Sequence, residues 1–459
     1  MPLIKSISGI RGTIGGKPNE SLSPIDVVKF TAAFGSYLKE QMDNRKIIIG
    51  RDGRISGAMV STMVVNTLMA LGFDVVDLGL STTPTVEIAV TMEKAAGGII
   101  ITASHNPKEW NALKLLNHKG EFISAEEGAI VLEKATGNVF DFVPVDFLGN
   151  YIVNDTYIQK HIDAIIKHPL VHIEAIQQKK LTVVVDAINS TGALSVPLLL
   201  KALGVKKVVV INEEVTGRFA HNPEPLPEHL TALSKEVQRT KADLGIAVDP
   251  DVDRLCFVCE DGSLFGEEYT LVAIADYVLS HRKGDTVSNM SSTNALRDIT
   301  IKHGGKHYAA AVGEVNVVKK MKKVKAVIGG EGNGGIIMPD FHYGRDALMG
   351  IGLFLSFLAQ HKGGVKKLRN QYPNYFISKN KIELKEGVDV KNVLEKIQKK
   401  YKNNPSYTED GLKIEFDNDW VHLRISNTEP IIRIYAESDL EAKANNIAQK
   451  LMQDIYEIM

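Results

Sequence analysis

Between residues 47 and 101 short apolar runs alternate with longer stretches of helical spacing: 47–49, then 55–71, 75–76, 85–95 and 99–101. Apolar runs this short suit buried strands, and the stretches between them are long enough for crossover helices. The order predicts right-handed β-α-β units and a mostly parallel sheet. The alternation recurs over 182–185, 194–203, 208–211, 230–237 and 244–248, and again from 255 through 271–279, 286–289, 295–301, 307–311, 315–321 and 326–328. Beyond a last helical stretch at 346–360 the pattern changes. Residues 377–384, 412–416, 421–425 and 431–435 alternate as strands of a half-exposed sheet, and 440–459 reads as a closing amphipathic helix.

The expected fold class is therefore α/β, with three tandem mixed α/β sheet domains followed by a smaller α+β domain. The boundaries expected are 1–150, 151–255, 256–370 and 371–459. A chain of 459 residues is too long for one core, and at about 150 residues per domain it divides into three or four.

Composition narrows the function more than the fold. With 44% hydrophobic and 24% charged residues, the chain has an ordinary globular make-up. Lys and Arg number 54 against 55 Asp and Glu, so no overall field exists to hold nucleic acid or an acidic membrane. The densest basic run, Lys319, Lys320, Lys322, Lys323 and Lys325, is expected on a solvated helix face. No apolar run approaches membrane-spanning length, and the first residues lack the charged and apolar regions of a signal peptide; a cytoplasmic location is expected. Only Cys256 and Cys259 occur, on a predicted strand with no second pair to complete a zinc site, so half-buried structural thiols are expected.

Four stretches carry candidate chemistry. Ile99-Ile100-Ile101 runs into Thr102-Ala103-Ser104-His105-Asn106-Pro107, which puts the Ser104 hydroxyl at a strand end, where open α/β sheets bind ligands. An ordinary loop is the alternative, and on extended backbone Ser104 and His105 point apart, against a Ser-His-Asp hydrolase. Asp249-Pro250-Asp251-Val252-Asp253-Arg254 follows a predicted strand. Its alternate carboxylates suit one hard divalent cation, whereas Arg254 occupies the place where an EF-hand turn needs glycine. Repelling surface acids are the alternative. Gly330 to Gly335 matches G-x-G-x-x-G, but no helix is predicted after it, so a dinucleotide site lacks its context. A loop presenting Glu331 and Asn333 to sugar hydroxyls, or a plain turn, remains. Arg424-Ile425-Ser426-Asn427-Thr428-Glu429-Pro430-Ile431-Ile432-Arg433 joins two predicted strands with donors suited to a phosphate dianion, or forms a polar hairpin. Ser8-Gly9-Ile10-Arg11-Gly12 adds another loop arginine.

Taken in order, these motifs resemble those of the α-D-phosphohexomutase family across essentially the whole chain. The resemblance implies four domains around a central cleft and an enzyme that interconverts hexose 6-phosphates and 1-phosphates. It implies that Ser104 carries phosphate and that Mg²⁺ is held by Ser104, Asp249, Asp251 and Asp253. A sugar bisphosphate is the implied intermediate and activator. Arg11, His105, Lys114 and Arg254 match active-site positions, with Lys114 and Arg11 the leading candidates for acid–base work or charge stabilisation. Glu331 and Asn333 belong to the sugar loop, and Arg424, Ser426, Asn427, Thr428 and Arg433 match the site of the unreacting phosphate.

The implied partner is a small phosphosugar, with no nucleic acid and no membrane; nothing in the sequence speaks to oligomeric state. Three positions depart from the family pattern. Gly335 stands where many bacterial members have histidine, leaving that role vacant or filled by another group such as His342, while Ala112 and Pro250 each replace a glycine. The glycine loop looks most like those of the phosphoglucosamine and archaeal-type branches. The expected reaction is glucosamine 6-phosphate to glucosamine 1-phosphate, feeding UDP-N-acetylglucosamine synthesis, with a mannose or glucose phosphate mutase as the alternative. A magnesium phosphatase or an inactive sugar-phosphate-binding module are the readings from other classes.

Overall fold

The computed structural model describes residues 3–6, 9–384, 388–425 and 431–459. They form two compact units, Met1–Thr270 with Asn333–Leu368, and Leu271–Gly332 with Arg369–Met459.

The first unit holds two sheets. The larger runs in the order Ile4–Ser6, Gly9–Thr13, Trp110–Leu116, Gly97–Ile101, Lys46–Arg51, Asp74–Leu80, Tyr151–Val153. Its last four strands are parallel, and Trp110–Leu116 lies antiparallel to both of its neighbours. The apolar runs Ile47 to Ile49 and Ile99 to Ile101 are fully buried because helices cover both faces, as the continuous hydrophobic pattern requires. The second sheet is ordered Leu255–Cys259, Leu244–Val248, Thr182–Asp186, Lys207–Ile211. Leu255–Cys259 pairs antiparallel with Leu244–Val248, so this sheet continues past residue 255 to Cys259.

In the second unit His307–Ala310, Thr286–Asn289 and Ile328–Glu331 form parallel pairs. A five-stranded antiparallel sheet follows, in the order Phe376–Glu383, Ile431–Ser438, Trp420–Ile425, Leu412–Glu415, Ser406–Tyr407. Buried residues of the helices Val390–Lys400 and Glu441–Ile458 share its core. The α/β class with a smaller α+β C-terminal part is thus observed.

Several elements differ from the hydrophobic reading. The helix Pro24–Gln41, begun by a reciprocal cap between Ser23 and Asp26, and the strand Trp110–Leu116 are additions. The strand expected at 326–328 lies instead at Ile328–Glu331. Its glycines hid it: a Cβ at Gly329 would come within 2.6 Å of the Val287 carbonyl oxygen on the next strand. Cys256 and Cys259 are fully buried rather than half-buried, and burial pushes both thiols up, that of Cys259 to about 11. Among the described residues no helix is long and apolar enough to cross a membrane.

Candidate active site

The strand Gly97–Ile101 delivers Ser104 into a tight turn where its backbone is left-handed, with φ 49°. The extended geometry that would separate Ser104 from His105 therefore does not apply. The turn is held from within, since the Ser104 amide donates to Thr102 Oγ1 (2.9 Å), whose hydroxyl donates to Asp52 Oδ2 (2.6 Å).

A buried arginine 50 residues earlier completes the support. Arg54 Nη2 donates to the carbonyls of Ser104 and Asn106, Nη1 to those of Pro107 (2.7 Å) and Trp110 (3.0 Å), and Nε to Asp52 (3.0 Å). All five of its N–H donors are engaged. Sequence reasoning missed Asp52 and Arg54; the signal available was a charged pair, Asp52-Gly53-Arg54, at the end of a buried strand.

Ser104 Oγ donates to Asp249 Oδ2 at 2.7 Å. The acidic loop bridges the antiparallel strands Leu244–Val248 and Leu255–Cys259, and it turns through Val252 at φ 60°. A β-branched residue in that region carries roughly 1–3 kcal/mol of strain, which the surrounding structure offsets. Ser190 and Thr191 donate to the Pro250 carbonyl, and the Thr83 amide to that of Asp251. The flanking strands exclude an EF-hand.

Asp249, Asp251 and Asp253 are all fully buried, with one oxygen from each lying within 4.8 Å of the others. Asp251 Oδ2 accepts from Lys114 Nζ (2.7 Å) and Thr83 Oγ1 (2.6 Å), and Asp253 Oδ2 from Arg345 Nη2 (2.6 Å). Asp251 Oδ1 and Asp253 Oδ1 are buried with no hydrogen-bond partner. Orphaned carboxylate oxygens within such a cluster fit a hard cation such as Mg²⁺, because a buried charge is otherwise strongly disfavoured. Burial, then repulsion from Asp253 and Asp251, raises the Asp249 carboxyl well above the usual range. Burial also opposes ionisation of Asp253, but Arg345, Lys114 and Arg254 outweigh it and hold that group below the usual range.

Cations surround the carboxylates. Burial works against the charge of Lys114, yet Asp251 and Asp253 outweigh it and leave its pKa above the ordinary lysine value. Arg11 donates to Asn106 Oδ1 (2.8 Å); burial and then Arg254 lower its affinity for its proton, and Arg54 and Arg345 add to the effect. The Arg254 Nε is buried without a partner, although Nη1 lies 3.3 Å from Glu224. Cations that depress one another in this way create a field suited to an anion, and a phosphate dianion matches their donors. His105 is held neutral, since burial, then Arg254 and Arg11, lowers its pKa well below the usual value; its Nδ1 is buried without a partner.

The structure therefore brings together Ser104, Asp249, Asp251, Asp253 and Lys114 directly, with Arg11, His105 and Arg254 as electrostatic neighbours. It adds Arg345. His342, the suggested occupant of the role left open at Gly335, is directed elsewhere, with Nε2 3.1 Å from Asp346 and Nδ1 3.4 Å from Glu87. Arg345 reaches the acidic loop instead.

The remaining candidates lie elsewhere in the chain. Asn333, in the first unit, accepts from the Gly335 amide (3.2 Å). In the second unit Glu331 is buried at a strand end, its Oε1 accepting from Asn289 Nδ2 (2.9 Å) and the Gly313 amide (3.0 Å). The adjacent Val312 amide donates to Asp410, which is ion-paired with Arg424 (2.8 Å). One backbone turn thus links the glutamate to the arginine. Arg424 and Arg433 are paired directly across antiparallel strands, one pair before the end of the ladder, which places two guanidinium stems on one face. Ser426, Asn427 and Thr428 lie outside the described residues.

Comparison with known proteins places this architecture in a class. Profiles described as phosphoglucomutase/phosphomannomutase α/β/α domains I, II and III match residues 4–140, 159–262 and 266–375, and the C-terminal domain profile of that family matches 381–453. The chain belongs to the phosphoglucomutase/phosphomannomutase family and is an enzyme of the phosphohexomutase type.

Its similarity to particular members runs end to end. It is 37% identical to a phosphoglucomutase/phosphomannomutase of Thermococcus kodakarensis over 96% of this chain and 98% of that protein. It is 33% identical to a phosphoglucosamine/phosphogalactosamine mutase of Sulfurisphaera tokodaii over 96% and 97%. A crystal structure of a phosphoglucomutase/phosphomannomutase family protein from Burkholderia thailandensis superposes with a TM-score of 0.84 at 26% identity, covering 98% of both chains.

Proposed function

We propose that this enzyme interconverts hexose 6-phosphates and 1-phosphates by lending a phosphoryl group from Ser104 and taking another back. The observation that carries the reading is the Ser104 hydroxyl, buried and 2.7 Å from Asp249 within a cluster of three carboxylates and several cations. Phosphoryl transfer asks for positioning and charge neutralisation more than covalent help, and the residues here supply both.

Asp249, Asp251, Asp253 and the phosphorylated Ser104 would hold Mg²⁺, which when bound supplies Lewis-acid neutralisation of phosphate oxygens. In the forward step the bond between phosphorus and Ser104 Oγ breaks as one forms to the free hydroxyl of the sugar monophosphate, giving a bisphosphate. The hydroxyl proton passes to neutral His105, whose Nδ1 is buried without a partner. Lys114 and Arg11 remain cations and stabilise the moving group. After the bisphosphate turns around, its other phosphate returns to Ser104 with the reverse proton transfer. Arg424 and Arg433, with Ser426, Asn427 and Thr428, hold the phosphate that is not reacting, and Glu331 and Asn333 recognise sugar hydroxyls.

The Gly330 to Gly335 loop favours glucosamine 6-phosphate as substrate, consistent with the similarity to the Sulfurisphaera enzyme. A second reading, glucose or mannose phosphate, is favoured by the higher identity to the Thermococcus protein. Parallel assays with glucosamine, glucose and mannose 1-phosphates plus Mg²⁺ and a sugar bisphosphate decide between them. Isomerisation fastest with glucosamine phosphate is expected. Release of inorganic phosphate without isomerisation would replace the mutase reading by a phosphatase.

A further inference from the structure

Gly335 does not have a left-handed backbone, so its conformation alone does not call for glycine. Space does. A Cβ at this position would lie 2.3 Å from Arg345 Cδ, closer than real side chains come, and 3.0 Å from its Cγ, so the arginine stem would have to shift. The backbone on both sides is pinned, because the Asp346 amide donates to the Ile336 carbonyl (2.8 Å) and the Gly335 amide to Asn333 Oδ1 (3.2 Å).

The base of Arg345 is fixed as well. Asp346 caps the helix Ala347–Gln360 through the Met349 amide (3.0 Å), and its other oxygen is held by His161 Nε2 (2.9 Å) and His342 Nε2 (3.1 Å). From this anchored start the Arg345 stem passes over Gly335, and its guanidinium meets Asp253 Oδ2 at 2.6 Å. The same cation acts electrostatically on Arg11, His105 and Lys114, so it faces the centre from which Ser104 works.

We propose that Gly335 and Arg345 are one functional unit, in which the bare glycine is the slot that lets Arg345 reach the acidic loop and add positive charge beside the phosphoryl group on Ser104. The inference rests on the reading of Ser104 as phosphoryl carrier. Arg345 acts through its ion pair with Asp253 and through its field, as a positioning and charge-stabilising residue. A guanidinium beside a divalent cation also repels it. Removing the arginine is therefore expected to slow phosphoryl transfer while leaving cation binding as tight as before or tighter, a combination that loss of a structural tether does not give.

The test uses the full-length enzyme with Arg345→Gln, Arg345→Lys, Gly335→Ala and the Gly335→Ala/Arg345→Gln double variant. Three readouts are taken: kcat and KM for the best hexose 1-phosphate, Mn²⁺ affinity by calorimetry, and thermal melting. Arg345→Gln is expected to lower kcat on the order of 100-fold, with KM changed less than about 3-fold. Its Mn²⁺ affinity should be undiminished, and Arg345→Lys should recover part of the rate. Gly335→Ala should mimic Arg345→Gln, and the double variant should be no slower than either, the non-additivity of residues that act together.

Weakened Mn²⁺ binding and a lowered melting temperature with kcat nearly intact would reduce Arg345 to a tether and overturn the proposal. Additive losses at 335 and 345 would overturn the coupling. A wild-type enzyme that isomerises no hexose phosphate would instead refute the mutase reading. The pair would then stand or fall on melting temperature, where a double variant shifted no more than either single variant keeps the coupling and additive shifts overturn it.

Discussion

Arg54 donates from its guanidinium to the main-chain carbonyl of Ser104, 50 residues further along the chain. With its other donors placed on Asn106, Pro107, Trp110 and Asp52, it fixes the turn that presents the Ser104 hydroxyl. Lysine cannot reproduce this planar fork. Arg54→Lys is expected to lower kcat on the order of 100-fold through misplacement of Ser104. Arg54→Gln, which leaves Asp52 buried without its cation, should also cost about 3–5 kcal/mol in a urea titration. Near-normal rate in the lysine variant would contradict the role given to the fork.

Two buried carboxylate oxygens of the acidic loop, on Asp251 and Asp253, have no hydrogen-bond partner and fit a cation there. Mg²⁺ is expected to raise the melting temperature, with the rise continuing logarithmically in free Mg²⁺ after the site is filled. EDTA should abolish isomerisation, and added Mg²⁺ should restore it. Asp251→Asn, which removes a ligand charge and weakens the tie to Lys114, should lower divalent affinity at least about 10-fold. Unchanged melting with and without Mg²⁺ would count against a metal at this loop.

Arg424 and Arg433 face each other across two strands, which sets two guanidinium groups side by side with donors suited to a phosphate dianion. Arg433→Gln is predicted to raise KM for the sugar phosphate roughly 10-fold to 100-fold, with a smaller change in kcat. Added inorganic phosphate should inhibit the wild type competitively and the variant less. A variant with unaltered KM would remove Arg433 from substrate binding.

Stability should fall with acid in a way traceable to two histidines. Burial, then Lys413 and Arg297, lowers His307 to about 3; burial, opposed by Asp410 and aided by Lys413 and Arg424, lowers His422 to about 4. Both stay neutral in the folded chain while the unfolded chain takes up protons near 6.5. The unfolded state thus binds more protons as pH falls from 6.5 to about 4, and the folded state loses stability across that window. Urea titrations of His422→Gln and His307→Gln through this range should show a shallower loss than the wild type. Identical slopes would exclude these histidines as the cause.

Much of this arrangement was legible in the sequence wherever function sits in one contiguous stretch. Ser104 follows a buried triple-isoleucine strand, and the alternate aspartates follow another strand, so local patterning locates both loops. What escaped acts at a distance: Arg54 reaches the Ser104 turn, Thr83 reaches Asp251, and Arg345 reaches Asp253 92 residues away. No local pattern encodes such contacts, because they arise only when strand ends from different parts of the chain converge. The strand Trp110–Leu116 was obscured by the polar turn before it, and Ile328–Glu331 by glycines that exist to let neighbouring backbone approach. Gly335 was visible only as a departure from the family pattern; its steric partner emerged from the fold.

The account depends above all on Ser104 carrying the exchanged phosphate. The most direct measurement is to incubate the enzyme with a sugar bisphosphate radiolabelled in its phosphates, digest it, and locate the label by peptide mass spectrometry, with Ser104→Ala alongside. The account predicts one phosphate on Ser104, passed on to added hexose monophosphate, and no label or isomerisation in the alanine variant. Label on another residue, or a Ser104→Ala enzyme that still isomerises at near-normal rate, would contradict it.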